Sequence, residues 1–213
     1  METLRARELK ELFQKIAEVM EQGKQLLVDL DAAVGDGDLG LTMSRGFRNA
    51  ADELRDSEES DVGKLLMKAG MVIAKTAPST MGTLMATGFM RGGKGLVGRE
   101  EIGLSDLADM MGYFVEGIME RGKSKPGEKT AVDVFYPAWE ALKRAGANSK
   151  TLAQGLEMAH EAAVQGVEAT KGMTAIHGRV AYYGEKSVGK QDPGATAGML
   201  VIKAFFEFAS RTP

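Results

Sequence analysis

Apolar residues recur every three or four positions along most of this chain, and no stretch sustains a period of two. Leu9, Leu12, Phe13, Ile16 and Met20 make the first such stripe. In an α-helix that spacing puts the side chains on one face, which must then be buried against another element. A second helix is expected over 61–76, with Val62, Leu65, Leu66, Ala69, Val72 and Ile73 inward. Ser79 or Thr80 can cap the next, which runs through 84–90. Ser105 suits the N-cap of a helix over 106–120, where Asp106 and Asp109 lie near its positive end. Thr130 can cap 131–144, with Asp133 placed much as a capping-box acid. Ser149 begins a long helix to about 170, and a last helix spans about 195–210. That last segment is apolar on nearly every side, from Met199 to Phe208, so it should be central or covered by a partner. Val180-Ala-Tyr-Tyr is the one short strand candidate. With no repeat period, low-complexity tract or compositional break, the expectation is a single all-α domain over 1–213: an antiparallel bundle or barrel of about eight helices.

Composition narrows the function. The net charge is only -3, which gives no strong attraction to nucleic acid or to a membrane surface. There is no cysteine, so disulfide and thiolate chemistry are excluded. The charged, helical start is unlike a signal peptide, and no apolar run approaches bilayer length, so a soluble cytoplasmic protein is expected. The two histidines, His160 and His177, are too few for a multi-histidine metal cluster. Of the 14 methionines, Met43, Met67, Met71, Met81, Met85 and Met90 fit core spacing as gap-fillers.

Where the chain departs from helical pattern it carries chemistry. The segment Asp31-Ala-Ala-Val-Gly-Asp36-Gly-Asp38-Leu39-Gly40 packs three carboxylates into eight residues, D-x4-D-x-D, directly before a helix-compatible run. Hard cations such as Mg²⁺ take oxygen ligands, and a helix start offers free N–H groups to an anion. Three like charges so close repel unless something neutralises them. An EF-hand loop is ruled out, because its obligatory sixth-position Gly and twelfth-position Glu fall on Leu41 and Phe47, or on Asp36 and Thr42. A solvated acidic turn is the bland alternative. Three more junctions bear phosphate-type groups: Gly127-Glu-Lys129-Thr130, Gly178-Arg179, and Asp192-Pro-Gly194 at the start of the last helix. In an up-and-down bundle alternate junctions gather at one end, so those at 35–40, 76–82, 122–130 and 172–194 are expected together. Arg91-Gly-Gly-Lys-Gly reads as a loop that lacks the spacing of a P-loop.

Taken in order, G-D-x-D-x-G-x-x-M-x-R-G-F (35–47), G-x-K-T-x-x-D (127–133), G-R-x-x-Y (178–182) and D-P-G-A (192–195) resemble the nucleotide-binding subunit of dihydroxyacetone kinases, usually called DhaL. The resemblance spans nearly the whole chain. It implies an antiparallel barrel of eight helices, with ADP or ATP held at one end through two Mg²⁺ ions bridging carboxylates and phosphates. By the same resemblance Asp31, Asp36 and Asp38 correspond to metal ligands. Leu39, Gly40, Leu41, Thr42, Ser79, Thr80, Met81, Gly122, Thr130, Arg179, Asp192, Pro193 and Gly194 correspond to the nucleotide shell. Three places depart from the family pattern: Leu39 stands for a histidine, Thr42 for an asparagine, and Pro78-Ser-Thr-Met-Gly-Thr83 for a Gly-Gly-Ala-Ser-Gly-Thr loop. They are compatible with another ketose acceptor or with a nucleotide held differently. The chain offers no obvious general base. The resemblance therefore implies a separate substrate-binding kinase subunit, DhaK-like, and as phosphoryl source either a DhaM-like phosphocarrier of the phosphotransferase system or free ATP. A homodimer stays open. The rival functional class is a nucleotide-sensing module of the same family without turnover.

Overall fold

The apolar stripes close into helices nearly where the spacing puts them. A computed structural model describes residues 2–211. Among these the chain forms α1 (Ala6–Gln22), α2 (Lys24–Ala32), α3 (Leu39–Arg55), α4 (Val62–Thr76), α5 (Thr80–Gly95), α6 (Leu104–Gly122), α7 (Val132–Ala147), α8 (Leu152–Thr170) and α9 (Pro193–Arg211). Each member of the series α3 to α9 packs on the next, α9 packs on α1, and α1 packs on α3. Eight helices thus close a ring, and α2 packs on α3, α9 and α1 outside it. The ring is the expected eight-helix barrel; α2 is an extra helix at one end of it.

The interior is filled by phenylalanines donated from five helices. Phe89 of α5 meets Phe13, Phe47 and Phe114 at 5.4, 6.1 and 5.3 Å between ring centroids. Phe114 meets Phe135 at 4.7 Å. The pairs are tilted or edge-to-face, the arrangement the ring quadrupole favours. Helix α9 owes its nearly uniform apolarity to contacts with α1, α2, α7 and α8, which bury Leu200, Val201, Ile202 and Phe205.

Several helix ends differ from the sequence expectation. Helix α6 starts earlier: Gly103 is its N-cap, and Asp106 rather than Ser105 closes the cap by accepting from the Gly103 N–H at 3.0 Å. Helix α8 is capped by Thr151, whose Oγ1 accepts from Gln154 N at 3.2 Å; Ser149 instead sits at φ 52° in the preceding turn. The expected loop at 91–95 is the last turn of α5. Its glycines are there for packing, since a Cβ on Gly93 would lie 2.5 Å from the Gly63 carbonyl of α4. Val180-Ala-Tyr-Tyr is not a strand but part of a kinked 3₁₀ segment, Arg179–Ser187, broken at Gly184. The strand pairing present is a two-residue antiparallel bridge, Leu4–Arg5 with Glu101–Ile102. Met71 is exposed, not core.

A candidate nucleotide and metal cleft

The tight turn between α2 and α3 builds the acidic group. Asp31 lies in the last turn of α2, and Gly37 turns the chain at φ 74°, which bends Asp36 and Asp38 back toward it. The Asp31 Oδ2 accepts from the Leu39 N–H at 3.2 Å, so this carboxylate stands in for the missing side-chain cap of α3. Oxygens of Asp31, Asp36 and Asp38 all lie within 4.8 Å of one another. Burial and then the charges of Asp36 and Asp31 push the Asp38 carboxyl above its ordinary value, against the pull of Arg179 and Arg45. Arg179 pairs with Asp36 from the connection between α8 and α9.

These acids face a cleft of about 710 Å³ at one end of the ring. Its walls come from all four junctions named from the sequence: Asp31, Asp36, Asp38 and Leu39; then Pro78 to Met81; then Gly122, Lys129 and Thr130; and finally Arg179 and Asp192 to Gly194. The up-and-down course of the ring is the reason. Helices α3, α5, α7 and α9 all begin at this end, so the first turns of several helices surround one space. At α5, Ser79 is the N-cap and its Oγ accepts from Gly82 N at 3.1 Å, which leaves Thr80 and Met81 N–H without intrahelical acceptors. At α9, the Asp192 Oδ2 accepts from Ala195 N at 2.7 Å. Gly194 comes close to α5: a Cβ there would be 3.8 Å from the Met81 Sδ. At α7, Thr130 donates its N–H to the Asp133 Oδ2 at 2.7 Å and accepts from Val132 N through Oγ1 at 3.2 Å.

Three residues of the expected shell are not brought to the cleft. Gly40 is the point where α3 presses on α2; a Cβ would fall 2.1 Å from the Lys24 carbonyl oxygen. Leu41 faces solvent at 55% exposure, and Thr42 is buried with its N–H on the Asp38 carbonyl. Helical geometry separates them, because successive residues point about 100° apart around the axis. The structure also adds residues that spacing did not single out. Leu84 follows Thr80 by one helical turn, and that interval could have flagged it. Tyr182 closes the G-R-x-x-Y motif read at 178–182, whereas His177, Ser124 and Val180 carry no such signal. His177 Nε2 meets the Glu128 Oε2 at 2.7 Å, which fastens the α8–α9 connection to the α6–α7 junction. Lys129, read from the sequence as a phosphate-type cation, spends its Nζ on two main-chain carbonyls at 2.6 Å each.

Fold and cleft together define an all-helical domain with a carboxylate triad and several helix starts around one polar opening. The chain matches the DAK2 domain over residues 33–207 and belongs to that family. It is 32% identical over 189 residues to the PEP-dependent dihydroxyacetone kinase, ADP-binding subunit DhaL, of Escherichia coli K12, covering 89% of this chain and 90% of that one. It is 35% identical over 190 residues to the corresponding DhaL subunit of dihydroxyacetone kinase 1 from Listeria innocua, with the same coverage of 89% and 90%. The fold superposes with a TM-score of 0.74 on the crystal structure of the dihydroxyacetone kinase from C. freundii in complex with AMP-PNP and Mg²⁺, at 24% identity, covering 97% of this chain and 34% of that one.

Proposed function

We propose that this chain is the ADP- or ATP-binding subunit of a kinase for dihydroxyacetone or a related small ketose, and that it passes a phosphoryl group to a substrate held by a partner subunit. The observation that carries this reading is the meeting of three carboxylates, one guanidinium and several helix starts around a single cleft. Kinase chemistry and nucleotide binding accord with the relatives, which are named as ADP-binding kinase subunits.

The residues present fit a hard divalent cation. Asp31, Asp36 and Asp38 offer carboxylate oxygens alone, close enough to repel, with Arg179 as the cation paired to one of them. They would hold Mg²⁺, the ion named with the C. freundii enzyme. Bound there, Mg²⁺ would neutralise charge on the phosphates and on the group in transfer. The chain's own contribution is orientation and electrostatics. The N–H groups of Thr80 and Met81 are placed to donate to phosphate oxygens, and Arg179 to follow their charge. Leu39, Pro78, Met81 and Leu84 form the apolar part of the wall, suited to the flat face of a base. Thr130 and Gly122 complete the rim. His177 is already engaged with Glu128, so deprotonation of the acceptor hydroxyl falls to the partner subunit.

The test is reconstitution. The purified chain is mixed with Mg²⁺, a panel of triose and tetrose ketoses, and either ATP or ADP with a phosphorylated phosphocarrier, with and without the cognate substrate subunit. Phosphate transfer is followed by phosphorus NMR. Transfer only in the presence of the substrate subunit is the expected result, and the productive donor identifies the phosphoryl source. Transfer by this chain alone would overturn the two-subunit mechanism. Nucleotide binding with no transfer to any ketose would make it a sensor.

A further inference from the structure

Lys129 is a buried and doubly bonded side chain at the cleft. It is 2% exposed, and its backbone sits at φ 58°, in the left-handed region that a lysine seldom adopts. The carboxylate of Asp133 holds that conformation by accepting from the N–H groups of Gly127 and Thr130 on either side of it. The turn sends the lysine side chain across to the far wall. There its ammonium donates to the carbonyl of Thr170, at the end of α8, and to that of Lys190, just before α9. Asp192 and Asp133 supply the facing negative charge, against the burial that lowers the Lys129 pKa. One buried cation therefore ties together both ends of the 22-residue connection that carries Arg179. An outlying backbone kept in place by a carboxylate clamp points to a job beyond packing.

We propose that Lys129 is a positioning residue: it sets the register of the connection between α8 and α9, and through it the places at which Arg179 and the α9 start meet the nucleotide. The proposal rests on the reading of the cleft as a nucleotide site. It also makes a statement about the ligand-free chain that does not depend on that reading. The connection is long, with glycines at positive φ at 178, 184 and 189, and has little packing of its own to fix it. Its ends are bonded to each other, Asp192 N on Thr170 Oγ1 at 3.1 Å and Gly189 N on the Lys171 carbonyl at 2.7 Å, and the two Lys129 bonds are what fasten that joined pair to the turn before α7; without them the pair can shift against it.

The test uses Lys129→Met, which keeps the length of the side chain and removes its donors, with Lys129→Gln as the second variant should the first fail to fold. In the ligand-free protein, amide exchange over 172–191 is expected to accelerate by about tenfold or more, with the helices of the ring unchanged. Calorimetry with Mg-ADP is expected to show about tenfold weaker binding in the variant, but less than about a twofold further loss when the same change is made in an Arg179→Ala background. A lysine that merely props up the fold would give independent losses in the two backgrounds and faster exchange throughout. Unchanged exchange over 172–191, or losses that simply add, overturns the proposal while leaving the nucleotide site intact. If the unmodified chain does not bind Mg-ADP at all, the nucleotide reading falls, and the functional half of the proposal falls with it.

Discussion

Asp192 shows how a residue read as part of the nucleotide shell becomes a thermodynamic liability once it is buried. It caps α9 through the Ala195 N–H, yet it is almost wholly enclosed, and burial raises its pKa from 3.8 to about 6. The backbone bonds and the Lys129 charge pull the other way without cancelling that effect. A carboxyl raised in this way takes up a proton on folding between those two values, so its contribution to stability falls as pH rises from about 4 to 6 and stays low above. Asn keeps the capping oxygen and removes the charge. Asp192→Asn is therefore expected to match the unsubstituted chain most closely near pH 4 and to gain on it toward pH 7.5, by at most about 3 kcal/mol. Urea midpoints at both pH values check this. A gain that shrinks toward neutral pH would reverse the sign. The Asp31, Asp36 and Asp38 group lies at the other side of the same cleft and was legible residue by residue, because its chemistry is local to eight positions.

At the level of elements, the close approach of α2 to α3 decides where the acids sit. Gly40 was expected to touch nucleotide, but it is the notch into which the end of α2 fits, and a methyl group there would collide with the Lys24 carbonyl. Backbone cannot yield as a flexible side chain does. Gly40→Ala is expected to destabilise the fold by about 1–3 kcal/mol and to weaken Mg-ADP binding as α2 carries Asp31 away from Asp36 and Asp38. Thermal melting and calorimetry of the same variant measure both. Normal affinity with lowered stability would mean that the acids hold their places without α2. The glycines at 92 and 93 teach the same lesson: sequence reading took them for a loop, whereas α5 continues through them, with Gly93 against the α4 backbone and Gly92 against Met110 of α6. A glycine pair signals either outcome equally well until the neighbouring helix is known.

For the whole molecule, the ring has a stable middle and a polar end. Its centre is tied by the phenylalanine contacts around Phe89, while the cleft end holds like charges and a connection fastened mainly by polar bonds. A ligand that bridges those charges and that connection should stabilise the chain by mass action. At a hundredfold excess over its dissociation constant the gain is about 2.7 kcal/mol, which for a chain of this size is a rise of roughly 5–10 °C in melting temperature. ADP with Mg²⁺ is expected to produce that rise and either alone much less. Asp38→Asn, which relieves a like-charge contact, should melt no lower than the unsubstituted chain without ligand and should lose the joint effect of Mg²⁺ and ADP. Scanning fluorimetry of both proteins with ADP, with Mg²⁺, and with both decides it. An equal rise from ADP in excess chelator would show that the carboxylates do not link metal to phosphate.

The helical class, the near course of each ring helix, the acidic turn, and the four junctions that share one end were legible in the order of residues alone. All of these follow from short-range rules: a 3.6-residue period, capping chemistry, and the alternation of up and down helices. Tertiary structure alone decided that α2 lies outside the ring, that Leu41 and Thr42 turn away from the cleft, and that Tyr182 belongs to a 3₁₀ turn at its mouth. It also decided that Lys129 and His177 fasten loops 41 and 49 residues distant in sequence. Such contacts join segments that share no period and no motif. Which atoms meet across a closed ring depends on how its helices are rotated and how nearly they approach, and those are set by packing volume rather than by local pattern.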